Sequence, residues 1–193
     1  MQKDRVEFPD LYVGLLHYPV YDKNGRVIST AVTNLDIHDL ARCASTFGIR
    51  NAYIINPLDS QRELAGRIIR HWTTGVGAQY NPVRKEALHR VRVRATLGEA
   101  RQEISETHRF PVRTIATGAV RRNGAVSYSK MRDLLRGSPR PHLIIFGTGW
   151  GLAEEILEEC DCILAPIEGV HDYNHLSVRS AAAIILDRLM GNR

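Results

Sequence analysis

Short apolar runs alternate with segments of helical periodicity along the whole chain, six of each kind. The apolar runs are 11–17, 51–56, 90–94, 112–118, 142–146 and 162–167, and the helical segments are 35–47, 61–72, 97–108, 130–136, 152–159 and 178–190. Strand and helix in alternation are typical of an α/β fold with a parallel sheet. Run 142–146 is apolar at nearly every position, as a strand covered on both faces requires. We therefore predict a mostly parallel six-stranded sheet with helices on both faces, formed by a single domain over residues 1–193.

Two segments break the alternation. Residues 73–83 contain Gly75, Gly77 and Pro82 and are predicted to form a loop, and the first run leads through a turn at 23–25 into a long connection. Residues 90–94 alternate arginine with valine, which predicts a half-exposed strand with its arginines on one face. Those arginines, with Arg84, Lys85 and His89, form either a phosphate-binding patch or an ordinary solvated face.

Composition fits an ordinary folded protein with a small basic excess. Hydrophobic residues make up 44% and charged residues 24%, and the formal net charge is +5. Only four of the 26 basic residues are lysines, which leaves 22 arginines. Arginine binds phosphate through its planar fork, although a GC-rich genome favours the same residue, and composition does not decide between these explanations.

Several classes of protein are excluded by what the sequence lacks. No apolar run reaches the length of about 18 residues needed to span a membrane. The first ten residues are charged and lack the apolar stretch of a secretory signal. The three cysteines, Cys43, Cys160 and Cys162, are sparse, and His171 and His175 have no third partner, so we expect a cytoplasmic protein without a metal site.

Three of the predicted strands end in loops rich in glycine and polar residues, at 117–119, 146–151 and 167–177. Ligands bind beyond the carboxyl ends of parallel strands, so these loops are the candidate site. Gly147, Gly149 and Gly151 allow a close backbone approach, and Glu168 follows at the distance of a ribose-binding acid. The spacing is Gly-x-Gly-x-Gly, however, which argues against the nicotinamide-dependent oxidoreductase that such a loop otherwise indicates.

The third loop runs into a helix rich in small residues, over 173–183, with Ser177 or Asn174 as its candidate cap. Its pattern Asn-x-Leu-Ser-x-x-x-Ala resembles the third motif of the SPOUT superfamily of RNA methyltransferases. The glycine loop 147–151 resembles the second motif, and residues 41–50 resemble the first motif of the 2′-O-methylating branch. Where that branch carries a glutamate in the second motif this chain has Thr148 and Trp150, as expected of a distinct subfamily.

The resemblance, which covers residues 11–190, implies an S-adenosylmethionine-dependent enzyme acting on structured tRNA or rRNA. It also implies a deep trefoil knot in the C-terminal third and a homodimer. The residues that it places at the cofactor, including neighbours of the motif positions in the same loops, are Thr117, Gly118, Gly147, Thr148, Gly149, Gly151, Ile167, Tyr173, Asn174, Leu176 and Ser177.

Arg42 falls where that branch has its catalytic arginine. An arginine is a poor proton acceptor, since its pKa exceeds about 12. Nearby Asp36, His38 and Asp39 are therefore the candidates for accepting the proton of a ribose hydroxyl or a base nitrogen. Trp72 is either a stacking platform for a base or a core anchor. A non-catalytic module that binds S-adenosylmethionine or RNA is the alternative function.

Overall fold

The computed structural model describes residues 10–171 and 173–191, and it contains all six predicted strands. The strands are β1 Leu11–Leu16, β2 Val20–Tyr21, β3 Val27–Ile28, β4 Ala52–Ile55, β5 Val91–Arg94, β6 Arg113–Ala116, β7 His142–Gly147 and β8 Cys162–Ile163. The helices are α1 Asn34–Thr46, α2 Asp59–Thr73, α3 Val76–Tyr80, α4 Pro82–Leu88, α5 Leu97–Glu106, α6 Tyr128–Arg136, α7 Glu154–Glu159 and α8 Val178–Met190.

Six of these strands form one parallel sheet in the order β5-β4-β1-β7-β6-β8. The two most apolar runs are central: β1 pairs with β7 from Leu11↔His142 to Leu16↔Gly147, and with β4 on its other side. Central strands are covered on both faces, and every residue of β1 is buried. The carboxyl ends of β6 and β7 therefore lie side by side.

Helices cover both faces of the sheet, as predicted. Leu11, Val13 and Leu15 of β1 face a core shared with α1, α2, α4, α6 and α8, while Tyr12 and Leu16 face a second core shared with α5 and α7. This division follows from the two-residue period of a strand, which sends successive side chains to opposite faces.

The prediction of a loop over 73–83 is wrong for most of that segment. α3 occupies Val76–Tyr80, and α4 begins at Pro82. Pro82 is the first residue of α4, where its missing N–H costs nothing, and the Asn81 side chain caps the helix by accepting from the N–H of Arg84 at 2.9 Å. The proline that indicated a loop is thus a helix start.

Two smaller differences concern the connections. The long connection after β1 contains a two-stranded antiparallel hairpin, β2–β3. The last strand is shorter than the predicted 162–167, because only Cys162 and Ile163 pair with β6. After β8, Leu164 and Ala165 donate to the carbonyls of Ala116 and Val126, and Asn174 donates to the carbonyl of Ala119 shortly before α8 begins.

No helix in the described ranges is both long and apolar enough to cross a bilayer. The prediction that the chain start lacks the apolar stretch of a secretory signal concerns residues 1–10, of which 1–9 lie outside the described residues. The single domain over 1–193 stays a prediction.

Candidate functional site

A cleft of about 650 Å³ lies at the carboxyl ends of β6 and β7. It is lined by the loops that follow these strands and by the segment leading into α8. The predicted cofactor residues that line it are Thr117, Gly118, Gly147, Thr148, Gly149, Gly151, Ile167, Asn174, Leu176 and Ser177. The three loops picked from the sequence therefore meet at one site, because the parallel sheet brings the ends of β6 and β7 together.

The glycines of the second loop are required by its backbone. A Cβ on Gly147 would lie 2.7 Å from the backbone nitrogen of Leu152, and a Cβ on Gly149 would lie 2.7 Å from the carbonyl oxygen of Tyr21. Gly149 and Gly151 also have positive φ angles of 58° and 109°. The loop is folded tightly against the β2–β3 hairpin, and this packing holds one wall of the cleft.

Ser177 is the cap of α8, and Asn174 joins two of the loops. The Ser177 hydroxyl accepts from the N–H of Ser180 at 3.2 Å, while the Asn174 side chain donates to the carbonyl of Ala119 at 2.8 Å. Tyr173 does not line the cleft: it is exposed, and its ring contacts His175. Tyr173 is therefore the one predicted cofactor residue that lies outside the cleft, whereas the other ten line it.

A chain of hydrogen bonds runs from the cleft wall to a buried histidine. Thr148 donates to the carbonyl of Leu16 at 3.1 Å and hydrogen-bonds Thr30, and Thr30 hydrogen-bonds Nδ1 of His17 at 2.9 Å. Because the Thr148 hydroxyl donates its hydrogen to the Leu16 carbonyl, it accepts from the Thr30 hydroxyl. The Thr30 hydroxyl in turn accepts from Nδ1–H of His17. Burial lowers the pKa of His17 to about 4, which keeps the ring neutral, and its Nε2 finds no partner among the described residues.

Four residues of the cleft come from the long connection and the start of α1 and were not among the predicted cofactor residues. They are Thr30, Ala31, Thr33 and Asp36. Thr33 caps α1 by accepting from the N–H of Asp36 at 3.1 Å and donates to its carboxylate at 2.6 Å. A Thr-x-x-Asp spacing before a helix is the one sequence signal that points to this segment. Nothing in it indicates proximity to β6 and β7.

Arg42 lies in a second depression, of about 490 Å³, beside the cleft. Asp39 and Arg42 from α1 line it together with Ser177 and Arg179, and Ser177 lines the cleft as well. Arg179 Nη1 donates to the Asp39 carboxylate at 3.2 Å, and its Nε lies 3.4 Å from the Asp36 carboxylate. Of the predicted catalytic residues, Arg42 and Asp39 are therefore adjacent to the cleft and Asp36 lines it, and Arg179 engages both acids.

His38 lies apart from both depressions. Its ring packs edge-on against Trp72, with the ring centroids 5.4 Å apart. Burial, and then the charge of Arg84, lower the pKa of His38, while Asp39 opposes this and Arg42 reinforces it. Trp72 is half-buried and packs against the larger core, which agrees with its interpretation as a core anchor.

The two arginines of β5 share one carboxylate, and Arg90, just before β5, has only a carbonyl partner among the described residues. Arg94 lies 2.6 Å and Arg92 4.0 Å from the Glu103 carboxylate, and Arg90 donates to the carbonyl of Ile49. Glu168, the candidate ribose-binding acid, is exposed and pairs with Arg121. Glu168 therefore does not line the cleft, while segment 90–94 keeps more arginines than acidic partners within the described ranges.

The cleft fits S-adenosylmethionine in size and chemistry. Its volume is in the range of small-molecule sites, which are mostly apolar with few polar groups. Thr117, Thr148 and Ser177 supply hydroxyls, and the N–H groups of Gly118 and Gly149 make no hydrogen bond to another described residue. A Cβ on Gly118 would have no neighbour within 4 Å, so its backbone is accessible from the cleft. Acidic Asp36 suits a cationic ligand.

Metal-ligating side chains do not gather anywhere in residues 10–171 and 173–191: no group of three or more His, Cys, Asp or Glu is arranged to hold an ion.

Comparison with known proteins places the chain in one family. A family described as SAM-dependent RNA methyltransferase matches residues 10–191. A relative from Oleidesulfovibrio alaskensis, named tRNA (guanine-N(1)-)-methyltransferase, is 45% identical over 183 residues, which are 95% of this chain and 42% of the relative. This chain therefore spans about two fifths of that relative's length.

Solved structures share the fold at low sequence identity. A probable methyltransferase from Bordetella pertussis superposes with a TM-score of 0.64 at 18% identity, over 95% of each chain. The SpoU methyltransferase AviRb from Streptomyces viridochromogenes, solved in complex with AdoMet, gives 0.57 at 16% identity, over 95% of this chain and 58% of its own. These structures share the fold, and the match over 10–191 shows that the chain belongs to the family of SAM-dependent RNA methyltransferases.

Proposed function

We propose that this chain binds S-adenosylmethionine in the cleft and transfers its methyl group to an RNA held beside Arg42. The observation that carries the proposal is the meeting of ten candidate cofactor residues in one cleft of about 650 Å³ that opens next to Arg42. When bound, the cofactor supplies an electrophilic methyl group on a sulfonium. Such a transfer needs the acceptor in line with the breaking S–C bond and water excluded.

The loop glycines and the N–H groups of Gly118 and Gly149 hold the cofactor through the backbone. Arg42, which is exposed, orients the acceptor by binding the adjacent phosphate, and its charge stabilises negative charge that develops on the acceptor. Asp39, in the same depression, accepts the proton in the proposed arrangement, once substrate displaces its contact with Arg179. His38 is separated from the cleft and packs on Trp72, so it has no direct part in this arrangement.

The acceptor stays open between a ribose 2′-oxygen and a base nitrogen of tRNA or rRNA. The name of the Oleidesulfovibrio relative specifies guanine N1 of tRNA, but this chain corresponds to only 42% of that protein. The remainder of the relative is long enough to carry an activity of its own. Guanine N1 is therefore one candidate atom and not an assignment.

We also propose that the chain forms a homodimer and a C-terminal knot. The depression around Arg42 is open to solvent and is bordered by small residues of α8, Ser180 and Ala183, so a second copy packing there would enclose the acceptor site. In the C-terminal third, Asn174 hydrogen-bonds Ala119 and Ala165 hydrogen-bonds Val126, which places the segment before α8 against the loop that follows β6. These contacts support threading of residues 164–177 through that loop. Sedimentation equilibrium tests the dimer, and a crystal structure traces the threading.

Calorimetric titration with S-adenosylmethionine and with NAD tests the cofactor. We expect saturable binding of the former alone, and binding of NAD alone would favour the oxidoreductase. Transfer of tritium from labelled S-adenosylmethionine to RNA from cells lacking the gene tests the reaction, and Arg42→Ala is expected to lose transfer while retaining cofactor binding. Mapping of the labelled nucleotide identifies the acceptor.

A non-catalytic module is the second candidate. The engagement of Asp39 by Arg179 and the packing of His38 on Trp72 favour it, because neither of these predicted proton acceptors is free. Cofactor binding with RNA binding but without transfer, across total cellular RNA from the deletion strain, would establish it.

A further inference from the structure

A cluster of cationic and aromatic side chains lies where α1, α2 and α4 meet. We call Arg42, Arg84, His38, His71 and Trp72 the arginine–tryptophan patch. The Arg84 guanidinium carbon lies 4.4 Å from the Trp72 ring centroid, and the rings of His38 and His71 contact Trp72 edge-on at 5.4 and 5.1 Å. Stacking on Trp72 holds the guanidinium flat, with donors available at its edge.

The patch carries uncompensated positive charge. Within the described residues neither Arg42 nor Arg84 forms an ion pair with a carboxylate, whereas Arg92 and Arg94 of β5 both face Glu103. Asp39, the acid on the same helix, is held by Arg179. Arg84 and Arg42 both lie close enough to His38 to add to the effect of burial in lowering its pKa, against the opposing charge of Asp39.

The patch is continuous with the cofactor cleft at one end. Arg42 is one turn after His38 on α1, and it lines the depression that shares Ser177 with the cleft. A polyanion that contacts both Arg84 and Arg42 would therefore extend to the edge of the cleft.

Helix α3, which packs against the patch, carries an exposed aromatic ring. α3 packs directly on the patch, since a Cβ on Gly77 would lie 2.7 Å from the Trp72 ring. From this anchored helix Tyr80 is 84% and Val76 77% exposed. Tyr80 is one turn after Gly77 on α3 and four residues before Arg84 of α4. An exposed ring on a helix packed against the patch matches single-stranded RNA recognition, in which bases stack on rings and phosphates contact guanidinium groups.

We propose that the arginine–tryptophan patch, together with Tyr80, is the surface that binds an unpaired RNA segment and leads it to the cofactor cleft. The inference rests on the proposed function and names the surface on which its substrate lies. The unpaired form of RNA is favoured over a duplex because paired bases are stacked on one another and cannot stack on Tyr80. The unpaired arginines favour a polyanion over a neutral protein partner.

Fluorescence anisotropy with a labelled RNA stem-loop, and with a blunt duplex of the same length, tests the surface. Arg84→Ala is expected to weaken stem-loop binding and to lower the slope of log Kd against log salt concentration by about one. Tyr80→Ala, a change at an exposed position that leaves packing intact, is expected to weaken stem-loop binding at least about fivefold and to leave duplex binding unchanged. Arg94→Ala is the matched control, because Glu103 already neutralises that arginine.

Unchanged affinity and salt slope in Arg84→Ala and Tyr80→Ala, with a loss in Arg94→Ala, would overturn the proposal in favour of the β5 strand. Equal loss of duplex and stem-loop binding in Tyr80→Ala would overturn the assignment of an unpaired segment. Titration of each variant with S-adenosylmethionine separates the two proposals. If the variants bind the cofactor and their RNA affinity is unchanged, the assignment of the RNA-binding surface is wrong and the proposed function stands. If the parent chain does not bind the cofactor, the proposed function itself is contradicted.

Discussion

The guanidinium of Arg179, in the first turn of α8, lies 3.2 Å from the carboxylate of Asp39 on α1. The same side chain reaches Asp36, so one arginine joins the C-terminal helix to both acids at the mouth of the cleft. Asp36 and the adjacent Ser177 line the cleft itself. This contact adds to the apolar packing that already holds α1 and α8 together in the larger core.

Replacement of Arg179 by alanine is expected to weaken S-adenosylmethionine binding several-fold. The side chain is about one-third exposed, so the loss of global stability stays within about 1 kcal/mol. Calorimetry and chemical denaturation measure the two effects. Arg94→Ala is the control, since Arg94 has the same exposed fraction and an ion pair with Glu103 far from the cleft. Equal changes in cofactor affinity for both variants would show that Arg179 has no special part in the site.

Gly149→Ala is expected to destabilise the fold and abolish cofactor binding. The substitution combines a left-handed φ of 58°, which costs about 1–2 kcal/mol for a non-glycine residue, with a Cβ 2.7 Å from the Tyr21 carbonyl oxygen. Gly25→Ala isolates the first contribution, because Gly25 has a φ of 75° and open space around the added Cβ. Denaturation curves compare the two, and equal losses would mean that the loop moves to relieve the contact.

Acid is expected to destabilise the protein between about pH 6.5 and pH 4. Burial lowers the pKa of His17 and of His142 to about 4, so both rings are neutral in the fold and bind protons more readily when unfolded. The full stability is present above pH 6.5 and falls as pH drops towards 4, by at most roughly 3 kcal/mol for each ring. His17→Gln should flatten the pH dependence in urea titrations, and the exposed His89→Gln should not.

Thr30→Val is expected to destabilise the protein by about 1–3 kcal/mol, because it leaves the buried Nδ1–H of His17 without an acceptor. Thr148→Val removes the next hydroxyl of the chain. A double-mutant cycle on the free energy of unfolding measures their coupling, and strictly additive losses would show that the hydroxyls act independently.

The alternation of apolar runs and helical periods determined the strands, the class of sheet and the three loops of the site. This was possible because strand pairing and turn formation depend on short-range patterns: 142–146 reads as a covered strand, and the glycines at 147–151 read as a tight turn. The local pattern gave the wrong prediction at Pro82, because a proline can begin a helix as well as end one. Here the hydrogen bond from the N–H of Arg84 to the Asn81 side chain makes Pro82 a helix start.

Contacts between residues far apart in the sequence could be found only from the tertiary structure. The sequence separates Thr30 from Thr148 by 118 residues and Asp39 from Arg179 by 140, and no periodicity relates them. The charge of the arginines is the clearest case. Five alternating residues made segment 90–94 look like the basic surface, but the fold brings Glu103 of α5 to Arg92 and Arg94. Arg42 and Arg84, by contrast, form no ion pair with any residue that the structure describes. The composition gives only the number of charged residues. The electrostatic potential of a surface also depends on which carboxylates the fold brings within a few ångströms of the arginines.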